Sequence, residues 1–231
     1  MKNFKVVSVG WGGMNAINYM IDSGLTGAEF ISCSVDKYGL QMSKADRKVW
    51  LRKIQYGLDD GSPSRSEQAA IESREEILSA LSRADAVIIV AGLGGCDGTG
   101  ASPITVQYAK ELGALTVAVV SLPYKFEGVR RTTRAEDALK KLSEQADAVI
   151  KIRNDKILQV VDKNTSMTKA FTCIDEIMCH AVRSLINIFQ GAFRIDDITK
   201  IKFSAAMLNV CLKFEGYKVF SLRYVKLAKL T

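Results

Sequence analysis

A chain of 231 residues with 48% hydrophobic and 25% charged residues has ordinary globular composition and is long enough for one large domain. Its net charge of +7 sits at one end: residues 200–231 hold seven basic residues against one acid, Glu215, and the preceding 199 residues sum to only +1. A near-neutral body argues against nucleic acid as the partner. One histidine and five cysteines without paired ligand spacing argue against a zinc centre, so no metal site is expected in the protein itself.

The chain enters directly into Phe4–Val9, an apolar strand with no leader before it, which fits reduced thiols and a cytoplasmic protein. Gly10-Trp11-Gly12-Gly13-Met14-Asn15-Ala16 follows. A helix then carries Ile17, Met20 and Ile21 to a stop at Gly24. A strand, a glycine-rich turn and a helix form the first unit of a nucleotide-binding α/β sheet. Taken alone, that turn also fits a nicotinamide-dependent enzyme. Glu29–Asp36 reads as a second strand ending in an acid. Tyr56–Pro63 is a loop by its turn residues and carries Asp59 and Asp60. Residues 69–77 read as a helix with a solvated face.

The centre of the chain is 86–101. Ala86–Val90 is a buried-type strand, and five glycines lie between Gly92 and Gly100. A helical pattern follows through Val106, Ala109 and Leu112. Glycines let backbone N–H groups approach an anion, and the helix that follows adds the favourable end of its dipole. A ligand-free β–α turn is the simpler alternative, and this glycine density places it second. Strands are also expected at Leu115–Val120 and Ala146–Ile152, and a long helix through Ile174, Ile177, Leu185 and Ile188. Together these predict a doubly wound, mainly parallel α/β sheet with helices on both faces, the long helix packed across it. Phe171 and Asp175 are four apart and share a helix face. An aromatic face and a carboxylate suit guanine, whose N1–H and 2-amino group are a donor pair. A core phenylalanine and a solvated aspartate are the alternative.

Gly94-Gly95-Cys96-Asp97-Gly98-Thr99-Gly100 resembles the Gly-Gly-Gly-Thr-Gly-Thr-Gly signature of the tubulin superfamily, in particular of the bacterial cell-division GTPases of the FtsZ family. The first glycine loop, Asp36, Pro123 to Arg131, and Asn154-Asp155-Lys156 resemble further family segments. The likeness covers residues 4 to 200. It implies the Rossmann-like GTPase fold, with GTP or GDP as ligand and Mg2+ accompanying the phosphates. By resemblance, Gly12, Gly13, Met14, Asn15, Ala16, Gly95, Gly98, Thr99 and Gly100 surround the phosphates. Glu127 and Arg131 face the ribose and phosphates, and Asn154, Phe171 and Asp175 read guanine. The implied partners are full-length FtsZ-like subunits, and the implied place is the cytoplasm at the division site.

Several positions depart from the family pattern. Trp11 and Met14 stand where glycines are usual, and either point away from the ligand or narrow its site. Ser34 replaces an asparagine. Asp97 replaces a threonine and brings a carboxylate to the cradle, so Asp59, Asp60 and Asp97 are expected to oppose a γ-phosphate. The family's catalytic loop aligns with Arg194–Thr199. Asp196 matches its first acid, Thr199 falls on the second, and Asp197 can be recruited only with a gap, so Asp196 and Asp197 are the catalytic candidates. The expected division is a GTP-binding domain over 1–190 and a remnant of the family's second domain over 191–231, expected as a leftover segment, disordered or packed loosely on the sheet, with a basic amphipathic helix from Tyr217 to Leu230 that could meet an anionic membrane as the alternative. GTP binding is expected to persist with hydrolysis and self-polymerisation impaired. The alternative is a relic or interaction protein whose pocket Trp11, Met14, Asp60 and Asp97 block.

Overall fold

All six residues of Phe4–Val9 are buried, on both faces, as a central parallel strand requires. A computed structural model describes residues 3–51, 61–159, 161–162, 164–190 and 220–223. In chain order the elements are β1 (Phe4–Val9), α1 (Gly10–Asp22), β2 (Glu29–Ser34), α2 (Lys37–Gln41), β3 (Arg47–Trp50), α3 (Pro63–Glu72), α4 (Arg74–Leu81), β4 (Ala86–Gly92), α5 (Asp97–Glu111), β5 (Leu115–Leu122), α6 (Val129–Gln145), β6 (Ala148–Arg153), α7 (Asn154–Ile157), α8 (Met167–Gln190) and β7 (Phe220–Arg223), with a 3-10 turn at Lys125–Glu127.

The strands lie in the order β3-β2-β1-β4-β5-β6-β7. The first six are parallel and β7 pairs antiparallel with β6. This is the expected doubly wound sheet. The side chains alternate accordingly. Val6, Ile88, Val90, Val117 and Val119 pack with α1 and α8. Val7, Ile89, Ala118 and Val120 pack on the other face with α3 to α6. The apolar stripe of α8, Ile174 through Phe189, is buried across the sheet, and the Phe189 ring meets Phe4 at 5.6 Å. Its burial against α1, β5 and β6 holds this amphipathic helix in place.

Strand order reverses between β1 and β4. At such a switch point the two following loops diverge to opposite faces and leave a crevice at the strands' carboxyl ends. Both glycine loops open there. Four helices or strands were missed by periodicity. β3 is a four-residue edge strand, α6 is too polar to show a wide apolar stripe, and α2 and α7 are single short turns. The one helix expected over 69–77 is two, α3 and α4, parted at Ser73. The alternative of a helix from Tyr217 to Leu230 is corrected over four residues: Phe220–Arg223 is a strand on the edge of the sheet. Phe-Ser-Leu-Arg alternates apolar and polar, and the open edge of β6 offers it a hydrogen-bonding partner. The rest of 191–231, including Asp196 and Asp197, lies outside the described residues, as do Asp59 and Asp60.

Candidate nucleotide site

β1 runs into α1 and β4 runs into α5 with their backbones nearly touching. A Cβ on Gly13 would lie 2.2 Å from the Val90 carbonyl oxygen, and one on Gly98 the same distance from that of Gly92. Those glycines serve the crossing itself, since no side chain fits between the two β–α turns. The loop Leu93–Cys96 is left to face outward. Gly94 adopts φ +100, and its N–H donates to the Thr99 hydroxyl at 2.8 Å, which closes the loop. A Cβ on Gly95 would meet nothing within 4 Å, so this peptide faces open space. The first-turn N–H groups of α1 and α5 have no intrahelical partner and converge on the same opening.

Asp97 does not point at that opening as a bare charge. Its carboxylate is 8% exposed and accepts from the Ser34 hydroxyl at 2.6 Å, the Val35 N–H at 3.1 Å and the Ser66 hydroxyl at 2.8 Å. Three donors and the start of α5 stabilise the charge where it is. Asp97 lies on the wall of the opening as expected, and it has a second role the sequence did not show: it ties β2, α3 and α5 together. Beside it the Cys96 thiol donates to the Ser62 carbonyl at 3.0 Å.

The other end of the opening is built by α7 and α8. Asn154 is 4% exposed, and its Oδ1 has no hydrogen-bond partner among the described residues. Burial pushes the Asp175 carboxyl up to about 7, with no cation to offset it. Phe171 is half exposed and meets the buried Tyr124 ring edge-on at 5.5 Å, and Tyr124 stacks on Phe126 at 4.9 Å. Glu127 accepts the Tyr124 N–H at 2.8 Å and also pairs with Arg131, so the family-placed acid and arginine hold each other.

These groups line one cavity of about 740 Å3. Of the residues singled out from the sequence, Gly12, Asn15, Gly95, Gly98, Glu127, Arg131, Asn154, Phe171 and Asp175 are on its wall. Gly13, Met14, Ala16, Thr99 and Gly100 are not. Met14 and Ala16 are buried in the interior, and a Cβ on Gly100 would strike the Pro63 carbonyl of α3 at 1.9 Å. Trp11 lines the cavity, but its indole N–H donates to Asp36 at 3.1 Å and the ring lies against α2. Of the four residues expected to block the pocket, Met14 is turned inward, Trp11 is turned aside and Asp97 is clamped on the wall, while Asp60 lies outside the described residues. Tyr124, Ser66 and Trp50 were not anticipated. Only the aromatic run Tyr124-Lys125-Phe126 carried a hint of the platform. Among the described residues no cluster of three acidic, histidine or cysteine side chains could hold a metal ion.

A profile described as Tubulin/FtsZ family, GTPase domain, matches residues 3–162. Among solved structures, an empty FtsZ dimer from M. jannaschii is similar with a TM-score of 0.79 and 35% identity, over 87% of this chain and 60% of that one. CetZ2 from Haloferax volcanii, a GTPγS-bound protofilament, has a TM-score of 0.73 at 21% identity over 87% and 62%, a likeness of fold. The chain thus spans about 60% of the length of these structures. With the profile match, the M. jannaschii likeness and a glycine-lined crevice at the switch point of the sheet in agreement, the chain belongs to the Tubulin/FtsZ family and carries its GTPase domain.

Proposed function

We propose that this protein binds guanine nucleotides, GTP or GDP, in the 740 Å3 cavity and acts as an FtsZ-like subunit of a cell-division filament in the cytoplasm. The observation that carries the reading is the pair of acceptors at the inner end. Among the described residues, the Asp175 carboxyl is half-buried with no cation beside it, and the Asn154 Oδ1 is buried without a donor. Guanine supplies donors on one edge, and adenine lacks that pair. Phe171 offers a ring face to the base. The glycine loop offers N–H groups to the phosphates, and Arg131 offers a cation held in place by Glu127. A bound GTP supplies the phosphoanhydride bond and the ligands of any Mg2+. Calorimetry with GDP and ADP tests the assignment, and equal affinity for the two overturns it.

Filament partners of the same family are part of the proposal, since the M. jannaschii relative is a dimer and the CetZ2 relative a protofilament. Hydrolysis is expected to be very slow. Arg194 and Thr199 stand where the family carries an asparagine and its second acid, and a fixed cation and a hydroxyl cannot orient water as a carboxylate does. Phosphate release close to that of a buffer blank is the expected result, and turnover typical of enzymes, about 1 per second or faster, would refute it. GDP is expected to bind within about tenfold of GTP without Mg2+, because the charge of Asp97 on the cavity wall, and by family resemblance those of Asp59 and Asp60, oppose a γ-phosphate. A GTP preference of a hundredfold would count against this.

A further inference from the structure

The cavity has a second end that one nucleotide does not explain. Beyond the glycine loop its wall continues through Trp11, Lys37, Tyr38, Trp50 and Arg65. Tyr38 is 81% exposed and Trp50 43%, unusual for large rings unless a surface has a partner. The two indoles are fixed rather than loose. The Trp50 indole N–H donates to the Val35 carbonyl at 3.1 Å, and the Trp11 indole N–H donates to Asp36 at 3.1 Å. Val35 is in turn bonded to Asp97 at the glycine loop, so the aromatic end is joined to the phosphate cradle by consecutive short contacts. A Cβ on Gly39 would lie 2.7 Å from the Trp11 ring, so α2 lies close against the indole only because that residue is glycine. Lys37 sits 5.0 Å over the Trp50 ring, and with Arg65 it brings positive charge to the wall between cradle and aromatics.

We propose that this end takes a second base, so that the ligand class extends to dinucleoside polyphosphates. One guanine lies at Asp175, the phosphate chain crosses the glycine loop past Arg65 and Lys37, and the second base stacks on Tyr38 and Trp50. The proposal rests on the guanine reading above. The second base is held by its face and not read by its edge. Asp36, the nearby carboxylate, already accepts from the Trp11 indole and, through its other oxygen, from the Gly39 N–H at 2.9 Å. Stacking of this kind accepts any base.

Calorimetry on the whole purified chain, comparing diguanosine tetraphosphate with linear guanosine tetraphosphate, isolates the second base at equal phosphate number. The dinucleotide is expected to bind about tenfold more tightly. A mixed guanosine–adenosine tetraphosphate is expected to match it. The double substitution Tyr38→Ala with Trp50→Ala removes the gain and leaves GDP affinity unchanged. Tyr38→Ala alone, at a largely exposed residue that the fold does not need, lowers the gain about threefold. Equal affinity of the two tetraphosphates in the unsubstituted chain overturns the proposal, as does a gain that survives both substitutions while GDP still binds. If GDP and both tetraphosphates all fail to bind, the guanine reading itself falls and takes this one with it.

Discussion

Asp175→Ala is expected to lower GDP affinity by about 10- to 100-fold and to leave ADP affinity within a factor of two. Removing a charged acceptor from a paired donor contact costs roughly 1.5–3 kcal/mol. The preference for guanine over adenine should collapse with it. The same residue gives the site a pH dependence whose sign is fixed. Burial raises the Asp175 carboxyl from its ordinary 3.8 to about 7 in the empty protein. Guanine's two donors need the ionised form, so binding releases a proton whenever the pH is below about 7. The GDP-to-ADP affinity ratio is expected to be flat above about pH 8 and to fall about tenfold per unit between pH 7 and 5. Taking the ratio cancels titration of the nucleotide phosphates. A flat ratio over pH 5–8 would show that Asp175 does not face the base. In the empty protein the linkage has the opposite sense. The folded state holds the proton more tightly than the unfolded chain, so Asp175 withdraws stability as pH rises from about 4 through 7.

The end of the cavity formed by α8, proposed above to take guanine, was legible because its residues are local. Phe171 and Asp175 are one helical turn apart on α8, and periodicity alone puts them on one face. Both glycine loops were legible for the same reason, each being a continuous run between a strand and a helix. What the sequence hid are relations between distant segments. Nothing near Asp97 indicates that its oxygens meet Ser34 and Ser66, 63 and 31 residues away. Nothing near Met14 shows that its side chain turns into the interior while Trp11, three residues earlier, turns toward α2. A short edge strand such as β3, charged at two of four positions, has no period to detect. β7 has no clear signal because the basic and apolar residues spaced through 217–230 also fit a helix, and the β6 edge supplies the hydrogen bonds that decide for a strand at Phe220–Arg223.

The clamp at Asp97 leads to the second large effect, on stability. Asp97→Ala leaves the buried Ser34 and Ser66 hydroxyls and the Val35 N–H at the cavity wall without their acceptor. Hydrogen bonds to a charged group contribute roughly 1.5–3 kcal/mol each, and the two hydroxyls can rotate to recover part of the loss. The expected cost is about 3–4 kcal/mol, or on the order of 10 °C in Tm for a chain of this size. Asp97→Asn keeps the shape. Its oxygen can still accept from Ser34 and Val35 and its amide can donate to the Ser66 hydroxyl, so about 1 kcal/mol is expected. Asp97→Thr, the residue usual in the family, should restore little, because a single hydroxyl cannot bridge donors that come from both β2 and α3. Thermal unfolding of the three variants separates a clamp from a mere repellent. If Asp97 only opposed phosphate, all three would unfold near the parent temperature and bind GTP more tightly. If it holds β2, α3 and α5 together, Tm falls in the order Asn, Thr, Ala, and nucleotide affinity falls with it, since the glycine loop is part of the α5 terminus that the carboxylate anchors.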